Sequence, residues 1–218
     1  MRFLILMVFV FASNLAFAAG GKFYTGFYAG YSTLQELKDT AGIITGGTSV
    51  SGLTMTTTGA PTVSLEVGYF GDQTKSMGFN FGFRYESERK ITKEVQTLLY
   101  APLSTRDYTN PPKLTIMDVY LNFVYVWEHG IYTPIGVVTS IPTWKDSTEF
   151  SETHTLSGGS GLTAGVYFPF GKSNWVLGAS SKIVFYKMKK TASDQTTEYS
   201  FDKIDASSSV VELGYRFR

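Results

Sequence analysis

Cysteine is absent from the 218 residues, which removes disulfide staples, thiol nucleophiles and cysteine metal centres together. Charge is scarce as well. Only 17% of residues are Asp, Glu, Lys or Arg, against about 25% in an ordinary soluble domain. The 19 basic and 18 acidic side chains nearly cancel. No basic surface is left to displace counterions, so no nucleic-acid partner is expected. Histidine occurs twice, at His129 and His154, and the acidic residues are scattered, so no metal or other cofactor is expected. After the N-terminus no apolar run approaches the ~20 residues that a spanning helix needs.

What the chain does contain is aromatic residues (16%, with 17 Phe and 14 Tyr) and 22 Gly. At the N-terminus, Arg2 precedes an apolar run from Phe3 to Phe11 and then Ala16-Phe17-Ala18. A basic residue, a short apolar stretch and an A-x-A site read as a secretory signal peptide over 1–18. Residues 19–218 then form one domain.

From Tyr24 onward the dominant pattern has period two, the signature of half-buried strands. Met77, Phe79, Phe81, Phe83 and Tyr85 alternate with Gly78, Asn80, Gly82, Arg84 and Glu86. Eight such segments are predicted: 23–34, 61–70, 77–87, 114–127, 131–141, 160–170, 175–187 and 208–217. The fifth is weakest, because Pro134 removes a ladder donor. Connections alternate in length. The stretches 35–60, 88–113, 142–159 and 188–207 are long and polar, whereas those between them are short. All long segments therefore lie at one end of an all-β, antiparallel, up-and-down barrel. The Thr/Gly/Ser-rich stretch 40–60 reads as a mobile loop.

Alternation does not say which face is inside, since a soluble ligand-binding barrel and a membrane barrel invert one another. Three features favour the membrane. The polar faces carry Gly, Ser, Asn and isolated charges rather than frequent Lys and Glu. The segments reach about ten residues, the length of a tilted transmembrane strand. Aromatics gather near the short turns (Tyr69, Phe70, Trp127, Tyr132, Phe168, Phe170, Trp175, Phe217) and toward the long loops (Tyr31, Tyr85, Phe185, Tyr186), as interfacial girdles would. Closure is then required, because hydrocarbon cannot satisfy an open sheet edge.

Four sets of residues carry a further signal: Phe23-Tyr24-Thr25-Gly26 through Tyr31-Ser32, Ile131-Tyr132-Thr133, Gly161–Phe168, and the ending Leu213-Gly214-Tyr215-Arg216-Phe217. In this order the chain resembles the eight-stranded outer-membrane β-barrels, most nearly the transmembrane domain of OmpA-like proteins. The resemblance implies a porin-like protein of the bacterial cell outer membrane, among lipids and lipopolysaccharide. It also implies that Val211, Leu213, Tyr215 and Phe217 form the strand signal read by the outer-membrane assembly machinery. Arg218 departs from it by leaving the aromatic penultimate. The resemblance does not include a periplasmic domain, so no cell-wall tethering is carried over.

The inward positions hold Glu66, Arg84, Glu86, Asp118, Lys182, Glu212 and Arg216. Opposite charges in a narrow lumen should pair, because an unpaired buried charge costs several kcal/mol. Neighbouring strands suggest Arg84 between Glu66 and Asp118, and Lys182 beside Glu212. The expectation is a plug of paired charge, hence a structural or surface-interaction role with long loops outside the cell. The alternative is a narrow channel or transporter for ions or small apolar solutes. Arg89, Lys90, Lys93, Lys187, Lys189 and Lys190 stand where they could meet lipopolysaccharide phosphates, and the loops could meet an extracellular ligand of unknown kind. His129 reads as a turn residue and His154 as a solvated loop residue. No nucleophile, base and orienting group come together, so the chain is not expected to be an enzyme.

Overall fold

The computed structural model describes residues 22–39, 43–45, 49–70, 76–98, 101–149, 151–171, 173–191 and 198–217; the signal peptide read over 1–18 lies outside them. Their strands are β1 (Lys22–Ser32), β2 (Glu36–Asp39), β3 (Ile43–Thr45), β4 (Ser49–Thr57), β5 (Ala60–Phe70), β6 (Ser76–Leu98) and β7 (Ala101–Asp107). After these come β8 (Lys113–Val126), β9 (Tyr132–Lys145), β10 (Thr153–Ser157), β11 (Gly159–Pro169), β12 (Trp175–Thr191), β13 (Glu198–Asp205) and β14 (Ser208–Phe217).

Eight of them close into a barrel. The order β11-β9-β8-β6-β5-β1-β14-β12 returns to β11 through the β11–β12 ladder, and every pair is antiparallel. First and last strands meet with Thr25 opposite Phe217 and Ser32 opposite Val210. This is the eight-strand reading, segment for segment. Pro134 belongs to β9 after all. It sits where the ladder to β11 is interrupted, between the pairs Ala164–Ile135 and Tyr167–Tyr132, so its missing N–H is not needed there.

The outward positions of these strands are apolar: Phe23, Phe27, Leu65, Phe83, Leu121, Ile135, Leu177 and Leu213 are all exposed. The inward positions alternate Gly with large rings. A Cβ at Gly214 would lie 2.0 Å from the Tyr28 ring, and one at Gly178 would lie 2.2 Å from that of Tyr167. Inward glycines are thus the sockets for lumenal tyrosines. Three aromatics of the expected girdles belong inside as well. Tyr132 and Tyr186 are fully buried, in phase with the inward positions of β9 and β12, and Phe70 packs inward against Tyr24 and Tyr132.

The long segments are not loops. β2, β3, β4, β7, β10 and β13 pair with one another and with the projecting ends of β6 and β12. The stretch read as mobile contains β4, with Leu53, Met55 and Thr57 buried between half-exposed residues. Its threonines are β-branched and favour a strand. These strands form a cap with its own apolar core, including Leu34, Leu37, Leu53, Met55, Ile91, Met188, Phe201 and Ile204.

Candidate functional site: the lumen and its lid

The inward side chains stack in three tiers. At the short-turn end Arg216 lies against the faces of Tyr132 (3.8 Å), Tyr24 (4.4 Å) and Phe70 (4.9 Å). Its Nε donates to Tyr28 Oη at 2.9 Å, and its guanidinium stands 3.6 Å from Glu66. Glu66 Oε1 accepts from Tyr28 (2.6 Å) and Tyr24 (3.0 Å), while Oε2 accepts from Asn80 (3.1 Å) and Tyr120 (3.4 Å). A carboxylate with four donors and a nearby guanidinium is well compensated for its burial.

In the middle tier Arg84 crosses the barrel to Glu212 at 3.1 Å and donates to Ser180 (3.0 Å) and Ser64 (3.3 Å). Tyr167 also donates to Glu212. Above them Lys182 reaches Asp118 (2.6 Å) and Glu86 (2.8 Å). Ser140 donates to Asp118 and lies 2.8 Å from Tyr186 Oη.

All seven lumen residues predicted from the sequence are buried and brought together, but the pairs differ from those expected. Arg84 and Asp118 are opposite in the β6–β8 ladder, yet each takes its partner from across the lumen. An eight-strand bore is narrow enough for long side chains to span. The pairing partner is therefore set by reach across the bore as much as by neighbouring strands.

The predicted set holds four carboxylates and three cations. The missing cation is Arg89, one of the residues expected to meet lipopolysaccharide. It is fully buried, pairs with Glu86 and donates to Ser32 at 2.6 Å and to the Leu34 carbonyl at 3.3 Å. A register shift between Glu86 and Arg89 changes the phase of β6, so Arg89 turns inward and Lys90 outward. Lys190 is also withdrawn from the surface, being buried 2.5 Å from Glu94. Lys90, Lys93, Lys187 and Lys189 remain exposed on the cap. Val211, Leu213 and Phe217 face outward from the barrel, and Tyr215 is half-buried beside Phe217. His129 stands in the 3-10 turn Glu128–Gly130, with φ of 65°. His154 is not solvated: it is buried in the cap with Nδ1 2.7 Å from Asp146.

Beyond Arg89 lies a cluster of buried apolar side chains, including Leu34, Ile91, Leu114, Ile116, Met188 and Phe201, all at 0–1% exposure.

No protein-family model and no curated protein matches the sequence. Solved structures do. The outer membrane protein OprG from Pseudomonas aeruginosa aligns with a TM-score of 0.54 at 11% identity, over 89% of this chain and 96% of that chain. The outer membrane protein AlkL, solved in DMPC lipid bilayers, aligns with a TM-score of 0.52 at 14% identity, over 91% of this chain and 90% of that chain. At such identities the likeness is one of fold. The chain has the fold of small bacterial outer-membrane β-barrel proteins, and its apolar outer belt suits that membrane.

Proposed function

We propose that this protein is an integral barrel of the bacterial outer membrane with a structural and surface-interaction role, its lumen plugged and its cap displayed outside the cell. The observation that supports this reading is the buried, paired charge of the lumen together with the apolar core of the cap. Four carboxylates (Glu66, Glu86, Asp118, Glu212) meet four cations (Arg84, Arg89, Lys182, Arg216), and an apolar core closes the outer end. An ion would have to break buried pairs and then cross a dehydrated plug, and both steps are costly. Catalysis forms no part of the role. Planar-bilayer recording tests it: reconstituted protein should give no stable unitary current, and large, steady unitary openings would overturn the plug in favour of a channel.

The partners follow from the two exteriors. Lipid covers the belt, and the outward face of β14 (Val211, Leu213, Tyr215, Phe217) presents the assembly signal. Lys90, Lys93, Lys187 and Lys189 supply phosphate contacts for lipopolysaccharide at the base of the cap. Changing Lys187 and Lys189 to Ala together should weaken co-purification of lipopolysaccharide. An unchanged yield would retire this contact.

A further inference from the structure

A second buried polar cluster lies in the cap, in contact with neither lipid nor lumen. It sits where β7 and β10 approach without a shared ladder: β7 pairs with β6 and β10 with β12. Side chains close this seam. Lys190 Nζ lies 2.5 Å from Glu94 and 3.1 Å from Glu152, and Arg106 pairs with Glu152. Tyr108 donates to Glu94 at 2.6 Å.

His154 stands at the centre with its two nitrogens treated differently. Nδ1 is 2.7 Å from Asp146 Oδ1, and Asp146 also accepts from the His154 backbone N–H (3.1 Å) and from Trp144 Nε1 (2.8 Å). Nε2 is buried, has no hydrogen-bond partner among the described residues, and points toward Glu94 Oε2 at 4.0 Å. The His154 side chain is only 4% exposed. A buried ring nitrogen without a partner forfeits a hydrogen bond that most buried polar atoms make. The local charge is unbalanced too, with three carboxylates (Glu94, Asp146, Glu152) against Lys190 and Arg106.

We propose that this seam is a binding site for a divalent transition metal of the zinc type, with His154 Nε2, Glu94 and Glu152 as ligands. One donor atom from each already lies within 4.8 Å of the others. Tetrahedral coordination at about 2.0–2.2 Å sets ligand atoms roughly 3.4 Å apart, so modest side-chain rotation completes the set. Asp146 fills the position of the outer carboxylate that fixes the tautomer and orientation of a metal-bound imidazole. Imidazole with carboxylate oxygens suits zinc and its neighbours better than calcium. The competitor is Lys190, whose ammonium holds both carboxylates and must give way when the metal enters. A small cleft beside Tyr108, Asp146 and Ser147 provides the approach.

Isothermal titration of the full-length, detergent-folded protein with zinc chloride tests the site. The expected result is one zinc per chain, with His154→Gln losing binding and His129→Gln keeping it. Asp146→Asn should weaken binding by roughly 10–100-fold, the usual effect of removing such an outer partner. Lys190→Met, which removes the competing ammonium and keeps an apolar stem, should bind more tightly than the parent. Heat-modifiable gel mobility shows which variants are folded, and only those are compared. Absence of binding in both the parent and Lys190→Met overturns the proposal, and so does unchanged binding in folded His154→Gln.

Discussion

Two long strands, β6 and β12, run from the membrane barrel into the cap and reverse their polarity on the way. Along β6, Phe83 and Tyr85 face outward and Arg84 and Glu86 inward; ten residues on, Lys93 is exposed and Ile91 buried. Along β12, Leu177 and Ile183 are exposed around buried Lys182, and later Lys187 and Lys189 are exposed around buried Met188. A strand has no intrinsic inside. The medium around it decides which face carries the apolar side chains: hydrocarbon below, water above. The lower interior must then be polar with its charges paired, while the upper one can hold an apolar core beside its polar seam.

The largest expected effect breaks the lower half. Lys182→Met leaves Glu86 and Asp118 facing each other without their shared cation, at a cost of about 3–5 kcal/mol. It should show as a lower midpoint in denaturant unfolding from detergent; a midpoint within error of the parent would mean that the tier is hydrated rather than packed. Phe201→Ala empties the cap core and should cost about 3 kcal/mol. Here the loss should stay local, with limited proteolysis cutting the cap while heat-modifiable mobility persists. A lost mobility shift would join the two halves into one cooperative unit.

Leu65→Arg places a charge on the lipid belt, which costs about 2–4 kcal/mol near the bilayer midplane. The converse change on the cap exterior, Lys189→Leu, should stay within about 0.5 kcal/mol. Comparable losses at both sites would refute the assignment of media. The smallest effect is one of acid. Burial pushes the Asp146 carboxyl up, but hydrogen bonds from His154 and Trp144 outweigh it and hold the group below the ordinary range. Burial likewise raises Glu152, and the Arg106 hydrogen bond and the Lys190 charge bring it below that range. Both carboxylates therefore stabilise the cap above their unfolded pKa of about 4, and this contribution is lost as pH falls through the lower folded values. Pepsin should nick the cap, relative to the barrel, faster at about pH 3 than at about pH 5; an equal ratio at the two would count against this.

The barrel was legible because lipid demands an uninterrupted apolar face, so period two survives in every spanning strand. The cap was not, because its core positions are spaced among Thr, Ser and Lys that looked like loop composition. Arg89 was hidden by the bulge, which shifts parity by one residue. The four-to-three imbalance among the predicted lumen charges was the available clue to it. Lys190 was readable in principle, since it shares parity with Lys182, Val184, Tyr186 and Met188 on an unbroken strand. The seam cluster was not, because Glu94 stands some sixty residues from Glu152 and His154.

The cross-lumen pairs also bear on how the barrel is completed. Glu212 and Arg216 lie on β14, whereas their partners Arg84 and Glu66 lie on β6 and β5. A slip of one residue between β14 and β1 would turn Glu212 and Arg216 to the outer face and take Arg84 from its cross-lumen partner. The β1–β14 register and the lumen's charge balance are thus one constraint: the pairing of Ser32 with Val210 along β1 is also the pairing that brings Glu212 to Arg84 and Arg216 to Glu66.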